Sequence, residues 1–365
     1  MTPEPLGFPA VWLRHNCPCP DCRDPVTGQR LLKITDIQNG LVASVTAQDD
    51  TEIVVTFAPD GHRSVFRRDW LATQAQAAQA GQDRDRDPRT EDGKVLWLAA
   101  DLPAPHTADW AAYTAGDLVR EGCLDAVARY GCALLRGVPV TPGMVLDVAA
   151  TFGYVRETNY GKLFDVRVEP DPDNLAFTSR EIAPHTDNPY RDPVPTLQLL
   201  HCLADASAGG DTGLVDGFAA AAALRATEPG SFGVLTGTPV SFRYVDKETE
   251  LTARQPLISL SQRGRIAGIR YNDRSMLPLR LPPGETEAAY AAIQAWARLL
   301  ARPEFLLRLR LSPGDCLIFD NTRVLHARTA FSAPVFPDRA ERHLQGCYAD
   351  LDGLLSTLAV LRRRQ

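Results

Sequence analysis

Apolar and polar positions alternate over short stretches along most of the chain, and two stretches carry a helical period instead. The runs 31–35 (LLKIT), 41–47 (LVASVTA) and 52–57 (EIVVTF), parted by polar turns, predict a small sheet within residues 31–70. Helical spacing of apolar residues marks 115–130 (AGDLVREGCLDAVARY) and 286–301 (TEAAYAAIQAWARLLA). Around them lie β-like runs bounded by Gly and Pro: CALLRGVP, TLQLLHCL, TGLVDGF, TPVSFRYV, FLLRLRLSPGDCLIFDN and HLQGCYAD. Many short strands with few helices predict a mainly β fold, an antiparallel sandwich or barrel.

One stretch breaks this pattern. From about 72 to 94 the chain is dominated by Ala, Gln, Asp, Arg and Gly without an apolar period. This predicts a linker at 76–94 between a small N-terminal β domain at 1–75 and a larger domain at 95–365. A solvated helix is the alternative there, and either reading separates two folded units. A length of 365 residues suits that division. The 44% hydrophobic and 23% charged fractions exclude a mainly disordered chain, and a net charge of −6 argues against nucleic acid as the main partner. No uncharged apolar run approaches the roughly 20 residues that a bilayer requires, so no membrane partner is expected. The start, MTPEPLGFPAVWLRHNC, has no basic region followed by an apolar one, so a cytoplasmic location is expected.

The eight cysteines are unevenly placed. Cys123, Cys132, Cys202, Cys316 and Cys347 stand singly in apolar segments and are expected as core side chains. Cys17, Cys19 and Cys22 fall on one proline-stiffened loop, and with His62 in the turn DGHRS they would complete a closed tetrahedral Zn(II) site that stabilises a small sheet. His15 is the rival fourth ligand, but its closeness to Cys17 would make wrapping onto the same ion cramped. The plain alternative is three reduced surface cysteines beside an unrelated histidine.

His185-Thr-Asp187 lies in REIAPHTDNPYRDP, and in an extended segment side chains two apart share a side. With His326 in FDNTRVLHARTAF they can form the two-histidine, one-carboxylate set of non-haem Fe(II) oxygenases, which leaves three coordination positions open. A lone H-x-D is a weak signal, and ordinary core histidines explain these residues equally well. Gly209-Gly-Asp-Thr212 and Arg342 tip the balance, because a chelating keto acid needs a fixed guanidinium, helped by a hydroxyl, for its distal carboxylate.

Taken together, H-T-D, G-G-D-T, D-N-x-R-V-L-H and the late arginine resemble the Fe(II)/2-oxoglutarate dioxygenases of the taurine dioxygenase superfamily. More narrowly, R-H-N-C-P-C-P-D-C, L-L-H-C-L, V-D-G-F and R-H-L-Q-G-C-Y-A-D-L-D-G-L-L-S resemble the γ-butyrobetaine and trimethyllysine dioxygenase group over nearly the whole chain. The resemblance implies a double-stranded β-helix (jelly roll) with flanking helices, Fe(II) on His185, Asp187 and His326, and 2-oxoglutarate on Thr212 and Arg342. Arg328 and Arg339 are nearby rivals for Arg342, which stands at the start of the matching R-H-L-x-G-x-Y run. It also implies zinc on Cys17, Cys19, Cys22 and His62, O2 as co-substrate, ascorbate as a candidate reductant, and a homodimer.

Members of that group hold a quaternary ammonium in an aromatic cage, because trimethylammonium cannot donate a strong hydrogen bond. The matching positions are Tyr160, Phe164, Phe177 and Tyr348, each of which alone reads equally as a core ring. At the anionic end, Asn174, Asn188, Tyr190, Asn272 and Arg274 are candidates, although the matching of 270–274 is loose by a residue or two. Arg191 and Arg274 read equally as surface charges. Amides, a phenol and a guanidinium suit a group with three oxygens better than a lone carboxylate. The pattern is similar to the 2-trimethylaminoethylphosphonate dioxygenase branch, which implies hydroxylation next to the phosphonate with release of succinate and CO2. γ-Butyrobetaine hydroxylation to L-carnitine is the first alternative. Trimethyllysine is disfavoured, for want of an acidic partner for its α-amino group, and a catalytically inactive zinc-stabilised binding protein is the alternative of another class.

Overall fold

The computed structural model describes residues 7–84, 91–102, 104–168, 178–205, 209–331 and 342–364. The chain forms two compact units, Met1–Arg86 and Asp87–Gln365. Asn174 and Phe177, and the rival Arg339, lie outside the described residues.

In the first unit, helix α1 (Ala10–His15) precedes an antiparallel sheet of β1 (Val42–Gln48), β2 (Glu52–Ala58) and β3 (Arg63–Arg67), followed by α2 (Arg68–Arg84). Period-2 burial of Ile53, Val55 and Phe57 on β2 supplies the core, which Leu13 and Phe66 complete. Residues 31–35 are not a strand. The Cys22 carbonyl accepts from the Leu31 and Leu32 N–H groups, and Ile34–Asp36 close a 3₁₀ turn, so this run has no ladder partner. The third strand is RSVFR, further on. Positions 76–84, read as linker, belong to α2, because Ala, Gln and Arg favour helix even without an apolar stripe.

The second unit begins with β4 (His106–Asp109), α3 (Trp110–Ala115), α4 (Asp117–Tyr130), β5 (Cys132–Arg136), α5 (Met144–Ala150), β6 (Val155–Arg156), β7 (Phe164–Val166) and β8 (Ile182–His185). It continues through β9 (Leu197–Ala204), β10 (Thr212–Asp216), α6 (Gly217–Thr227), α7 (Pro229–Gly237), β11 (Val240–Val245), β12 (Glu250–Gln255), β13 (Ile258–Leu260) and β14 (Ile266–Ile269). It ends with α8 (Pro283–Leu300), β15 (Leu307–Leu309), β16 (Cys316–Asp320), β17 (Val324–Arg328), β18 (His343–Ala349) and α9 (Leu351–Arg363).

A seven-stranded sheet ordered β4-β5-β16-β9-β18-β6, with β7 also on β18, faces a four-stranded sheet ordered β15-β10-β17-β8. Leu134, Leu200, Leu317 and Leu344 of the first meet Leu214, Leu307 and Val324 of the second in one apolar layer. The outer face of the large sheet carries α3, α4, α5 and α9, so β9 is covered on both sides, which is why TLQLLHCL reads as a continuous apolar run. Helices α6, α7 and α8 pack with Val215 and Leu325 behind the small sheet. This is the jelly roll expected from the sequence, and the five scattered cysteines are buried within it. Among the described residues no helix is long and apolar enough to cross a membrane.

Candidate active site

Strand pairing assembles the metal ligands. β8 ends at His185, and β17 presents His326 directly opposite it in register. The two imidazoles have ring centres 4.2 Å apart. Asp187 follows the strand end, where its backbone N–H donates to Asn321 Oδ1 at 2.7 Å and Asn321 Nδ2 returns a bond to the Asp187 carbonyl at 3.0 Å. Ligand atoms of His185, Asp187 and His326 all lie within 4.8 Å of one another, and His185 Nε2 is 3.4 Å from Asp187 Oδ1. Ligands at right angles on bonds of about 2.1 Å lie roughly 3 Å apart, so modest closure onto an octahedral ion satisfies the set.

The surroundings orient each ligand. His185 Nδ1 lies 2.9 Å from the Ala183 carbonyl, which leaves Nε2 to point inward. Asp187 Oδ2 accepts from Gln198 Nε2 at 2.8 Å and from the Tyr348 hydroxyl at 2.9 Å, leaving Oδ1 toward the histidines. Gln198 and Tyr348 are directly opposed on β9 and β18, so both reach the same oxygen. Burial acts to raise the Asp187 carboxyl, but His326, His185 and Tyr348 hold it well below the usual carboxylate range. Burial, reinforced by His185, pushes the His326 imidazole down to about 3. The set therefore offers a carboxylate and a neutral His326 ring to a cation.

A cavity of about 510 Å³ opens over these ligands. Arg342 and Thr212 line it, and so does Arg328. The two arginines are in different states. Arg328 Nη2 donates to the Thr178 and Arg180 carbonyls at 2.5 and 2.8 Å, whereas the Arg342 guanidinium, with Phe331 beneath it, has no hydrogen-bond partner among the described residues. Burial lowers the pKa of both, and Arg342 lowers that of Arg328 further, to about 10. An anion between them would relieve that cost. Gly210, at φ +75°, admits Arg342, since a Cβ there would stand 3.0 Å from Arg342 Cδ. The sequence motif G-G-D-T thus makes room for the arginine it was read beside.

The described cage candidates, Tyr160, Phe164 and Tyr348, share the same cavity. Phe164 packs on Tyr348 at 5.0 Å, and Tyr160 lies 6.3 Å from Phe164. Gly346, opposite Phe164 in register, leaves the space its ring occupies, since a Cβ would fall 2.4 Å from it. Tyr190 stands beside these rings, its hydroxyl 2.8 Å from that of Tyr160, and either oxygen can be the donor. Asn188 and Asn272 also line the cavity, with Arg274 donating through Nε to Asn272 Oδ1 at 3.2 Å. Asn188 takes a left-handed φ of 54°, which asparagine tolerates, and both polar atoms of its buried amide lack a partner among the described residues. Arg191 is not part of the lining; it donates to Asn159 Oδ1 at 2.5 Å. The sequence reading missed Gln198, Arg243, Tyr244 and Ser275. A polar residue inside the otherwise apolar run TLQLLHCL was the available signal for Gln198.

In the other unit, His62 Nε2 lies 3.2, 3.7 and 3.6 Å from the sulfurs of Cys17, Cys19 and Cys22. A tetrahedral zinc with Zn–S of 2.3 Å and Zn–N of about 2.05 Å has S···N edges of roughly 3.6 Å, so the four groups fit that ion. The Cys22 sulfur also accepts from Arg14 Nη1 at 3.1 Å, and burial pushes the Cys17 thiol up to about 12, so a thiolate there calls for a cation at the centre. His15 is not in the cluster.

Residues 99–348 match the family model described as taurine catabolism dioxygenase TauD, TfdA family, and residues 4–72 match the γ-butyrobetaine hydroxylase-like N-terminal model. The chain is 37% identical over 357 residues to the γ-butyrobetaine dioxygenase of Pseudomonas sp. (strain AK-1), covering 98% of this chain and 91% of that protein. It is 30% identical over 363 residues to the γ-butyrobetaine dioxygenase of Homo sapiens, covering 98% and 92%. The crystal structure of asparagine oxygenase superposes with a TM-score of 0.52 at 19% identity, covering 66% of this chain and 81% of that one, which supports the fold alone.

Proposed function

The chain belongs to the TauD, TfdA family as an Fe(II)- and 2-oxoglutarate-dependent dioxygenase of the γ-butyrobetaine dioxygenase type, and we propose that it hydroxylates a small trimethylammonium zwitterion, preferentially 2-trimethylaminoethylphosphonate, at the carbon next to phosphorus. In this reading His185, Asp187 and His326 hold iron, and Arg342 with Thr212 holds the distal carboxylate of 2-oxoglutarate. Tyr160, Phe164 and Tyr348 face the cation, with Phe177 as a further matched position. Asn188, Asn272 and Arg274 clamp the anion, with Asn174 as a further matched position. Bound iron with 2-oxoglutarate and O2 supplies the oxidising power, releasing succinate and CO2 as a C–H bond becomes C–OH. Tyr348 and Gln198 keep the Asp187 carboxylate aimed, and the rings exclude water from the cation end. Zinc on Cys17, Cys19, Cys22 and His62 is structural. Ascorbate as reductant and a homodimer complete the proposal.

The observation that carries it is the pairing of Arg274 and Asn272, with an Asn188 amide unpartnered among the described residues, in the cavity that also holds the ring cluster. Arg274 lines the same cavity as His185, Asp187 and His326, which supports an anion on the metal side and the adjacent carbon as the one oxidised. The second reading is γ-butyrobetaine hydroxylation, favoured by the 37% identity to an enzyme of that name. Iron-loaded protein given each substrate with 2-oxoglutarate, with succinate as the readout, separates them. Higher kcat/KM on γ-butyrobetaine would reverse the assignment, and turnover of neither would remove both.

A further inference from the structure

We infer that Tyr244, on the hairpin of β11 and β12, is a substrate-contacting ring that closes the cation end of the cavity and selects a methylated head group over a primary ammonium. The inference rests on the trimethylammonium reading above. β11 and β12 form a two-stranded sheet of their own, separate from both sheets of the jelly roll. Along β11 the inward row is Val240, Phe242, Tyr244, two residues apart each time. The first two are fully buried, and the third continues the row past the end of the core and into the cavity lining. There its ring stacks on Tyr190 at 5.0 Å and meets Tyr160 edge-on at 5.6 Å.

The hydroxyls decide what these rings can bind. Those of Tyr160 and Tyr190 bond each other, and that of Tyr348 donates to Asp187. Tyr244 donates to Asp246 Oδ2 at 2.8 Å, while Asp246 Oδ1 accepts from the Glu248 and Thr249 backbone N–H groups and so fixes the hairpin turn. With these hydroxyl protons directed to Asp187, to Asp246 and between Tyr160 and Tyr190, the rings are held in place and the wall presents mainly ring faces. A cation without strong donors loses nothing there, whereas a primary ammonium exchanges three hydrogen bonds to water for ring faces and a few phenol lone pairs. The hairpin is also bound to the anion side: Leu277 N–H donates to the Ser241 carbonyl at 2.8 Å, and Phe242 bridges to Met276. Tyr244 and the segment bearing Asn272 and Arg274 therefore share one scaffold, which fixes the spacing between the two ends of the substrate.

Calorimetric titration of the full-length, metal-loaded protein with tetramethylammonium chloride, alongside methylammonium and 2-oxoglutarate, tests this. Tyr244→Leu is expected to weaken tetramethylammonium binding about tenfold, to narrow its advantage over methylammonium, and to leave 2-oxoglutarate affinity unchanged. Tyr244→Phe, which keeps the ring, should bind within twofold of the parent. Should the leucine variant fail to fold, Tyr244→Gln carries the same comparison. Unchanged tetramethylammonium affinity in the ring-less variants, or an equal loss of 2-oxoglutarate, overturns the role of Tyr244 while the proposed function stands. Failure of the parent protein to bind tetramethylammonium or to turn over any trimethylammonium zwitterion refutes that function, and this inference with it.

Discussion

Replacing Tyr348 by phenylalanine separates two roles that one side chain combines. The hydroxyl donates to Asp187 Oδ2 at 2.9 Å, and the ring lies 5.0 Å from Phe164 in the cavity wall. The substitution removes only the oxygen, so packing is kept and the void left is smaller than a methyl group. A hydrogen bond to a charged acceptor contributes about 1.5–3 kcal/mol. Gln198 Nε2 still donates to the same oxygen at 2.8 Å, which places the loss at the lower end, about tenfold in metal affinity. Anaerobic competition titration of Fe(II) against a chelator, in the presence of 2-oxoglutarate, reads this directly. Tetramethylammonium affinity should stay at the parental value, because the ring is untouched. Parental Fe(II) affinity in Tyr348→Phe, or a loss confined to the cationic ligand, would refute the view that this phenol acts through the carboxylate.

Arg342→Lys should raise the KM for 2-oxoglutarate at least tenfold with little change in folding stability, since the guanidinium has no protein partner among the described residues. Arg328→Lys should instead lower the thermal midpoint, because its bonds to the Thr178 and Arg180 carbonyls are structural. In metal-free protein, the His326 imidazole is depressed from 6.5 to about 3, so between those values the unfolded chain takes up a proton that the folded chain refuses. Stability is then highest above about pH 6.5 and falls as pH drops through that window, which urea midpoints at pH 7 and pH 5 will show. Cys19→Ser should reduce bound zinc, measured by elemental analysis, and lower the unfolding temperature of the first unit.

Legibility in the sequence followed how local the physical cause was. The H-x-D of His185 and Asp187 with His326 is a weak signal alone and gains weight from G-G-D-T, Arg342 and the family resemblance, while the β8–β17 register sets His185 and His326 face to face. The strands TLQLLHCL and HLQGCYAD were legible because both faces of their sheet are covered. LLKIT misled because its pattern is β-like while its backbone N–H groups at Leu31 and Leu32 are taken by the Cys22 carbonyl, a partner that no periodicity reports. Helix α6 escaped notice because a helix buried nearly all round has little amphipathic signal. Tyr244 escaped because its significance arises only when a hairpin far along the chain meets Tyr160 and Tyr190. Tyr190, read as part of an anion clamp, lines the cavity with its hydroxyl paired to that of Tyr160, a contact that no periodicity reports.

The opposed placement of Gln198 and Tyr348 on neighbouring strands ties metal chemistry to the accuracy of folding. Side chains alternate between faces, so a slip of one residue between β9 and β18 would swing one of these donors out toward the helices, and the carboxylate would lose that support at a stroke. A chain mispaired there would be nearly as compact and just as greasy inside as the native one, yet it would grip iron poorly. An ion that bound only the native alignment would stabilise it over a mispaired one by mass action.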